Sequence, residues 1–155
     1  MRGFAPAVAL LTALTIELGV SPAQAPDDFS ITLQRTGCLG SCPDYEVTIL
    51  RDGKVKYRGQ AYVGITGLRE RAISETAVQR LARRLEAERF FEWDETDRVC
   101  LDLPEVHITA NAGGRSKHVL EGCKQPGKIL ALAKEIDRAA GTQRWVKLPL
   151  VPNHP

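Results

Sequence analysis

The stretch FSITLQRTGCLGSCPDYEVTIL, residues 29–50, decides the fold, because apolar and polar residues alternate on both sides of a short loop with two cysteines. Such alternation is typical of strands with one buried face. If the two strands form a hairpin, Leu33 lies opposite Val47 and the apolar residues of both strands share one face. The same register sets Cys38 opposite Cys42 at the hairpin tip.

The next turn contains Arg51-Asp52-Gly53, and the parity of the flanking residues selects its length. A two-residue loop would oppose Ile49 with Lys56 and interrupt the apolar face, whereas a three-residue loop opposes Ile49 with Val55. We therefore predict a type I turn with Gly53 in the left-handed conformation. A third strand to Val63 and a charged edge strand over residues 68–73 are predicted to follow.

Two amphipathic helices are predicted in the remainder of the chain. Ser74 is a suitable N-cap, and apolar residues recur at helical spacing over residues 75–89. The second helix is predicted to start at Gln125 and Pro126 and to stop at Gly141.

A second hairpin is predicted between the helices. Residues 105–111 and 116–121 alternate around Gly113-Gly114, so that Ile108 opposes Val119. Together these patterns predict an α+β fold, a mainly antiparallel sheet of about six strands with two helices packed on one face.

Both ends of the chain are predicted to lie outside the folded domain. Residues 1–25 combine an apolar run with a small-residue cleavage region, as in a secretory signal peptide, and cleavage after Ala23 avoids the hindrance of Pro26. An uncleaved anchor is the competing interpretation, but the apolar run is shorter than the roughly 20 residues of a spanning helix. Residues 26–146 are predicted to form a single exported α+β domain, and residues 147–155, which carry three prolines, a disordered tail.

Composition narrows the class of protein. The chain has 155 residues, of which 43% are hydrophobic and 26% charged, as in one ordinary globular domain. A formal net charge of +2 without a basic stripe argues against nucleic-acid binding. We therefore expect a periplasmic or secreted protein with no stable membrane span after removal of the signal.

Four cysteines in an exported chain are expected to form two disulfides, for which three pairings exist. Cys100 precedes the second hairpin and Cys123 follows it, so hairpin closure brings this pair together. Cys38 and Cys42 then form a small ring at the tip of the first hairpin. The crossed pairings would require the two hairpin ends to meet.

The first cysteine loop also has a functional interpretation. Its spacing, Cys-x-x-x-Cys-Pro, resembles the copper-binding motif of the thioredoxin-like copper chaperones of cytochrome oxidase assembly, in which two thiolates suit a soft ion. In those proteins a helix follows the motif, whereas here a strand pattern follows, which also disfavours a thiol–disulfide oxidoreductase. The loop remains a possible binding loop. Its members are Cys38, Leu39, Gly40, Ser41, Cys42 and Pro43.

No other constellation of polar residues points to chemistry. His107 and His118 are expected on the outer face of the second hairpin as diagonal neighbours, but no third ligand lies at a defined spacing, so we interpret them as two exposed polar residues. The chain has neither a nucleophile elbow nor a phosphate-binding loop. We therefore predict no catalytic residue, no metal and no cofactor.

The first cysteine loop and the strand after it resemble a family of small exported bacterial domains of unknown function with the signature Cys-x-Gly-x-Cys-Pro-x-Tyr. The signature corresponds to residues 38–45, and the likeness extends from about residue 29 to residue 146. The resemblance implies an exported α+β domain, but the family has no assigned activity.

We therefore expect a disulfide-stabilised, non-catalytic module that binds a protein or a component of the cell envelope. The alternative is a thiol-dependent copper-binding or redox protein that uses Cys38 and Cys42.

Overall fold

The structure, a computed structural model, describes residues 24–94, 102–122 and 127–147. Residues 1–23 of the predicted signal peptide (residues 1–25), the predicted Cys100–Cys123 disulfide and residues 148–155 of the predicted tail (residues 147–155) lie outside the described residues. The described residues form one six-stranded antiparallel sheet and two main helices, which confirms the predicted α+β class.

The sheet has the strand order β4-β3-β2-β1-β5-β6. Its strands are β1 (Ser30–Arg35), β2 (Asp44–Leu50), β3 (Lys54–Ala61), β4 (Gly67–Ala72), β5 (Val106–Ala112) and β6 (Arg115–Glu121). The helices are α1 (Glu75–Ala87), α2 (Gly127–Ala140) and the four-residue α3 (Gln143–Val146), and a 3-10 turn spans Phe90–Glu92.

The first hairpin has the predicted register, with Leu33 opposite Val47 and Ile31 opposite Ile49. All four side chains are fully buried, so the apolar residues of both strands share the inner face of the sheet. Burial of an aliphatic side chain of this size contributes about 1.5–3 kcal/mol. A shift of one residue would expose this entire set, which is why the alternation specifies the register.

The turn between β2 and β3 also has the predicted length. Ile49 lies opposite Val55, and Gly53 has a φ of 80°. A Cβ atom at Gly53 would lie 2.4 Å from the carbonyl oxygen of Ile73, so both the backbone conformation and the space require glycine. The third strand is one correction to the predictions, because it ends at Ala61 rather than at Val63.

The second hairpin pairs Ile108 with Val119, as predicted. The sequence patterns did not predict that β1 pairs with β5, where Leu33 lies opposite Ile108. This pairing joins the two hairpins into one continuous sheet, with β1 between β2 and β5.

Both main helices cover the inner face of the sheet. Ser74 caps α1, since its hydroxyl accepts a hydrogen bond from the Ala77 amide. The apolar faces of α1 and α2 join one hydrophobic core with the sheet. Arg84 of α1 forms ion pairs with Glu88 and with Glu135 of α2, which links the two helices at the surface.

Aromatic side chains complete the core after each helix. Trp145 of α3 is only 6% exposed and stacks on Tyr57 with the ring centroids 4.8 Å apart. After α1, the Trp93 ring lies 5.1 Å from that of Phe90, and its indole nitrogen donates to the Glu88 carbonyl oxygen. The chain after α2 thus packs back onto the core through Trp145.

Candidate functional site

The loop between β1 and β2 is closed by a disulfide between Cys38 and Cys42, whose Cα atoms are 5.6 Å apart. The hairpin register explains this bond, because the pairing of Arg35 with Tyr45, continued into the loop, sets the two cysteines opposite each other. The residues inside the ring are exposed, and Leu39 has 80% of its surface accessible. The disulfide therefore holds an apolar side chain in solvent at the end of the sheet.

Two hydrogen bonds tie this loop to the segment that precedes β5. The Thr36 amide donates to the Glu105 carbonyl oxygen at 3.1 Å, and the Glu105 amide donates to the Thr36 hydroxyl at 3.0 Å. An open cleft of about 420 Å³ lies between the two segments. Its wall includes Leu39 and the half-exposed Leu103, so the cleft brings together two accessible apolar side chains.

The base of the loop is fixed by a polar cluster that the sequence analysis missed. Asp137 near the end of α2 accepts hydrogen bonds from Arg35 at 2.9 Å, from the Tyr45 hydroxyl at 2.7 Å and from the Thr142 hydroxyl at 2.8 Å. Arg35 Nε also donates to the Tyr45 hydroxyl at 2.9 Å. We call these four residues the Asp137 cluster.

The electrostatics of the Asp137 cluster favour a structural role. Burial, reinforced by the nearby Asp137 carboxylate, raises the pKa of Tyr45 far above its ordinary value, so the phenol stays protonated and donates. Burial acts to lower the pKa of Arg35, but Asp137 and Tyr45 outweigh it and the pKa is raised. The acidic, basic and phenolic groups thus satisfy one another. The cluster clamps the two strand ends that carry the loop onto α2.

One signal in the sequence pointed to this cluster. Asp137 lies in the last turn of α2, where the helix dipole disfavours a negative charge. An acidic residue at that position suggests a cationic partner from elsewhere in the fold. Arg35 is 102 positions away along the chain, so no local pattern could identify it.

A groove of about 490 Å³ runs beside the Asp137 cluster. Tyr45 and Val146 contribute to its floor, and Lys134, Arg138 and Lys147 stand at its rim. Arg138 is exposed and lies in the last turn of α2, where the helix dipole stabilises positive charge. The dipole thus accounts for one of the three cations at the rim.

The histidines of the second hairpin are closer together than the sequence indicated. His107 Nδ1 lies 3.3 Å from His118 Nε2, and His107 Nε2 lies 3.1 Å from a carboxylate oxygen of Glu105. The His107 side chain is only 21% exposed, which corrects its description as an exposed polar residue.

The context of the cysteine motif differs from that of a thioredoxin-like site. Strand β2 begins at Asp44, directly after Pro43, so no helix N-terminus is available to stabilise a thiolate at Cys38 or Cys42. Within residues 24–94, 102–122 and 127–147 there is no group of three or more His, Cys, Asp or Glu side chains arranged to hold a metal ion. In the same ranges, no helix has both the length and the apolar character needed to cross a membrane.

Comparison with known proteins assigns the chain to a family. A search of curated proteins gave no match. The model of the family described as Domain of unknown function (DUF6438) matches residues 29–140, from just before β1 to the end of α2. Because this match covers most of the chain, the protein belongs to the DUF6438 family.

Proposed function

We propose that the protein is an exported, non-catalytic binding module that holds a protein partner at the cell envelope through the loop of residues 38–43. The observation that carries the proposal is Leu39, which is 80% exposed on a loop closed by the Cys38–Cys42 disulfide. Leu39 shares the lining of one open cleft with the half-exposed Leu103, and exposed apolar patches of this kind mark protein-binding sites.

The arrangement reduces the entropic cost of binding. The disulfide and the hydrogen bonds between Thr36 and Glu105 fix the loop before a partner arrives, so little freedom remains to be lost. Burial of Leu39 in an apolar pocket of the partner would contribute about 1.5–3 kcal/mol. Leu103, which is 50% exposed across the cleft, extends the apolar contact.

One observation supports export, and a second bears on the position of signal cleavage. A disulfide persists in oxidising compartments such as the periplasm and is rare in the reducing cytosol. Ala25 is only 8% exposed, and its carbonyl oxygen lies 3.4 Å from Arg51 Nε. Cleavage of a signal peptide after Ala23 would retain this contact, whereas cleavage after Ala25 would remove Ala25 and the contact with it.

Site-specific photo-cross-linking tests the binding proposal. A photoreactive phenylalanine analogue replaces Leu39 in one variant and Leu68, an exposed leucine on edge strand β4, in the matched control. In the native host we expect one adduct of constant mass from position 39 only. Excess wild-type protein should compete for this adduct, and excess Leu39→Ser protein should not. Identical adducts from both positions, or none from position 39, would refute the proposal.

The second candidate function is thiol-dependent copper binding or redox chemistry by Cys38 and Cys42. It is favoured by the location of the disulfide at an exposed tip, where reductants have access. Titration of thiols in the native, non-reduced protein separates the candidates. If mild reductant releases two thiols that then bind Cu(I) with a one-to-one stoichiometry, the redox or copper role is supported; resistance to mild reductant rejects it.

A further inference from the structure

Three side chains on the outer face of the sheet form a continuous polar chain. Glu105 precedes β5, His107 lies on β5 and His118 lies on β6. The Glu105 carboxylate contacts His107 Nε2 at 3.1 Å, and His107 Nδ1 faces His118 Nε2 at 3.3 Å. Glu105 and His107 are mostly shielded from solvent, with 15% and 21% of their side chains exposed.

The carboxylate determines which nitrogen of His107 carries the proton. An ionised carboxylate only accepts hydrogen bonds, so the proton of neutral His107 resides on Nε2. His107 Nδ1 therefore presents its lone pair to His118. A carboxylate behind a ligating imidazole is the usual arrangement that orients histidine ligands in metalloproteins.

We propose that His107 Nδ1 and His118 Nε2 bind a divalent transition-metal ion of the zinc class. Two nitrogens bound to a tetrahedral zinc ion at about 2.0–2.1 Å are roughly 3.3–3.4 Å apart. The observed separation of 3.3 Å matches this value, so the distance between the two nitrogens need not change when an ion binds both. On binding, the proton of neutral His118 moves from Nε2 to Nδ1, and the net charge of the two imidazoles does not change.

The rest of the coordination shell is filled by water. In the described part of the chain no third His, Cys, Asp or Glu completes the group, so the site has two protein ligands and open positions. The cross-strand neighbours of the histidines on β1 and β5 are the neutral Gln34 and Thr109, which do not repel a cation. Such a site holds an exchangeable ion, and imidazole ligands suit zinc, copper and nickel.

The alternative for this geometry is a hydrogen bond between the two imidazoles, with no metal affinity. The two cases differ in whether zinc binds with a defined stoichiometry and in whether that binding depends on Glu105. A simple hydrogen bond predicts no saturable binding of zinc by the full chain.

Calorimetric titration of the untagged protein with Zn²⁺ tests the proposal. We expect one ion per chain. The affinity should be at least about tenfold lower in His118→Asn and about 10-fold to 100-fold lower in Glu105→Gln, because the Glu105 carboxylate orients the His107 ring. His154→Asn, which removes the third histidine of the chain, is the matched control and should bind like wild type.

Long-range ¹H–¹⁵N spectra of the imidazoles provide a second measurement in the folded protein. Zinc should shift the resonances of His107 Nδ1 and His118 Nε2, while His107 Nε2 keeps its proton. The proposal is overturned if Zn²⁺ does not saturate the protein, if His118→Asn binds as wild type does, or if binding disappears in His154→Asn instead.

Discussion

Replacement of Tyr45 by Phe tests the role of the Asp137 cluster. The change keeps the buried ring but removes the hydroxyl that donates to Asp137 at 2.7 Å and accepts from Arg35 at 2.9 Å. Asp137 retains its hydrogen bonds from Arg35 and Thr142, so the loss is partial. We expect the free energy of unfolding at pH 7 to fall by about 1–1.5 kcal/mol.

The pH dependence of this loss is the sharper part of the prediction. Burial and the Asp137 carboxylate raise the pKa of Tyr45 in the folded protein, whereas the unfolded chain ionises near pH 10. The contribution of the phenol is therefore complete below pH 10 and declines as the pH rises above it. By pH 10.8 the wild type should lose about 1 kcal/mol through this group, and Tyr45→Phe should not.

Urea unfolding followed by tryptophan fluorescence between pH 8 and pH 10.8 measures both proteins. The stability difference between wild type and Tyr45→Phe should shrink by about 1 kcal/mol over this range. Tyr62→Phe, which removes a hydroxyl from a side chain that is 53% exposed, is the control. A difference that stays constant with pH would refute a buried, protonated phenol in the Asp137 cluster.

Two further predictions concern turns of the sheet. Gly53→Ala and Gly114→Ala both place a side chain at positive φ, at a cost of about 1–2 kcal/mol. Only at Gly53 would the new Cβ also lie 2.4 Å from a carbonyl oxygen. Gly53→Ala should therefore lower the unfolding temperature clearly more than Gly114→Ala, and equal effects would contradict the packing argument. Asp28 accepts hydrogen bonds at 2.7 Å from both amides of the β5–β6 turn, which lower its pKa. Its contribution to stability is thus present above about pH 4 and lost as the pH falls through the lowered pKa, so acid titration of Asp28→Asn should show a shallower decline than wild type.

The registers within the hairpins were predictable because they depend on local parity. The pairs Leu33–Val47, Ile49–Val55 and Ile108–Val119 follow from alternation and from the length of each turn. A strand with one buried face has only one register that keeps its apolar side chains inside. The cysteine ring at the hairpin tip follows from the same rule.

The long-range arrangement was not predictable from these patterns. Alternation shows that β1 has one buried face, but it does not specify that β5 pairs along its second edge. The Asp137 cluster depends on this tertiary arrangement, because it joins Arg35 of β1 to a helix 102 positions later. The polar contact of His107 with His118 was predicted as a neighbour relation, but the distance that suits a metal ion required coordinates.

The position of β1 between β2 and β5 has a consequence for the order of folding. Ser30 pairs with Asn111, so the second edge of β1 stays open until a segment 81 positions later has joined it. Closure of so long a loop is entropically costly, and domains dominated by such distant pairings fold slowly. Without β5, the meander of β1 to β4 would present β1 as an unpaired edge strand, with the otherwise fully buried Ile31 and Leu33 beside the open edge. A chain truncated before β5 should therefore aggregate through β1 rather than persist as a smaller folded unit.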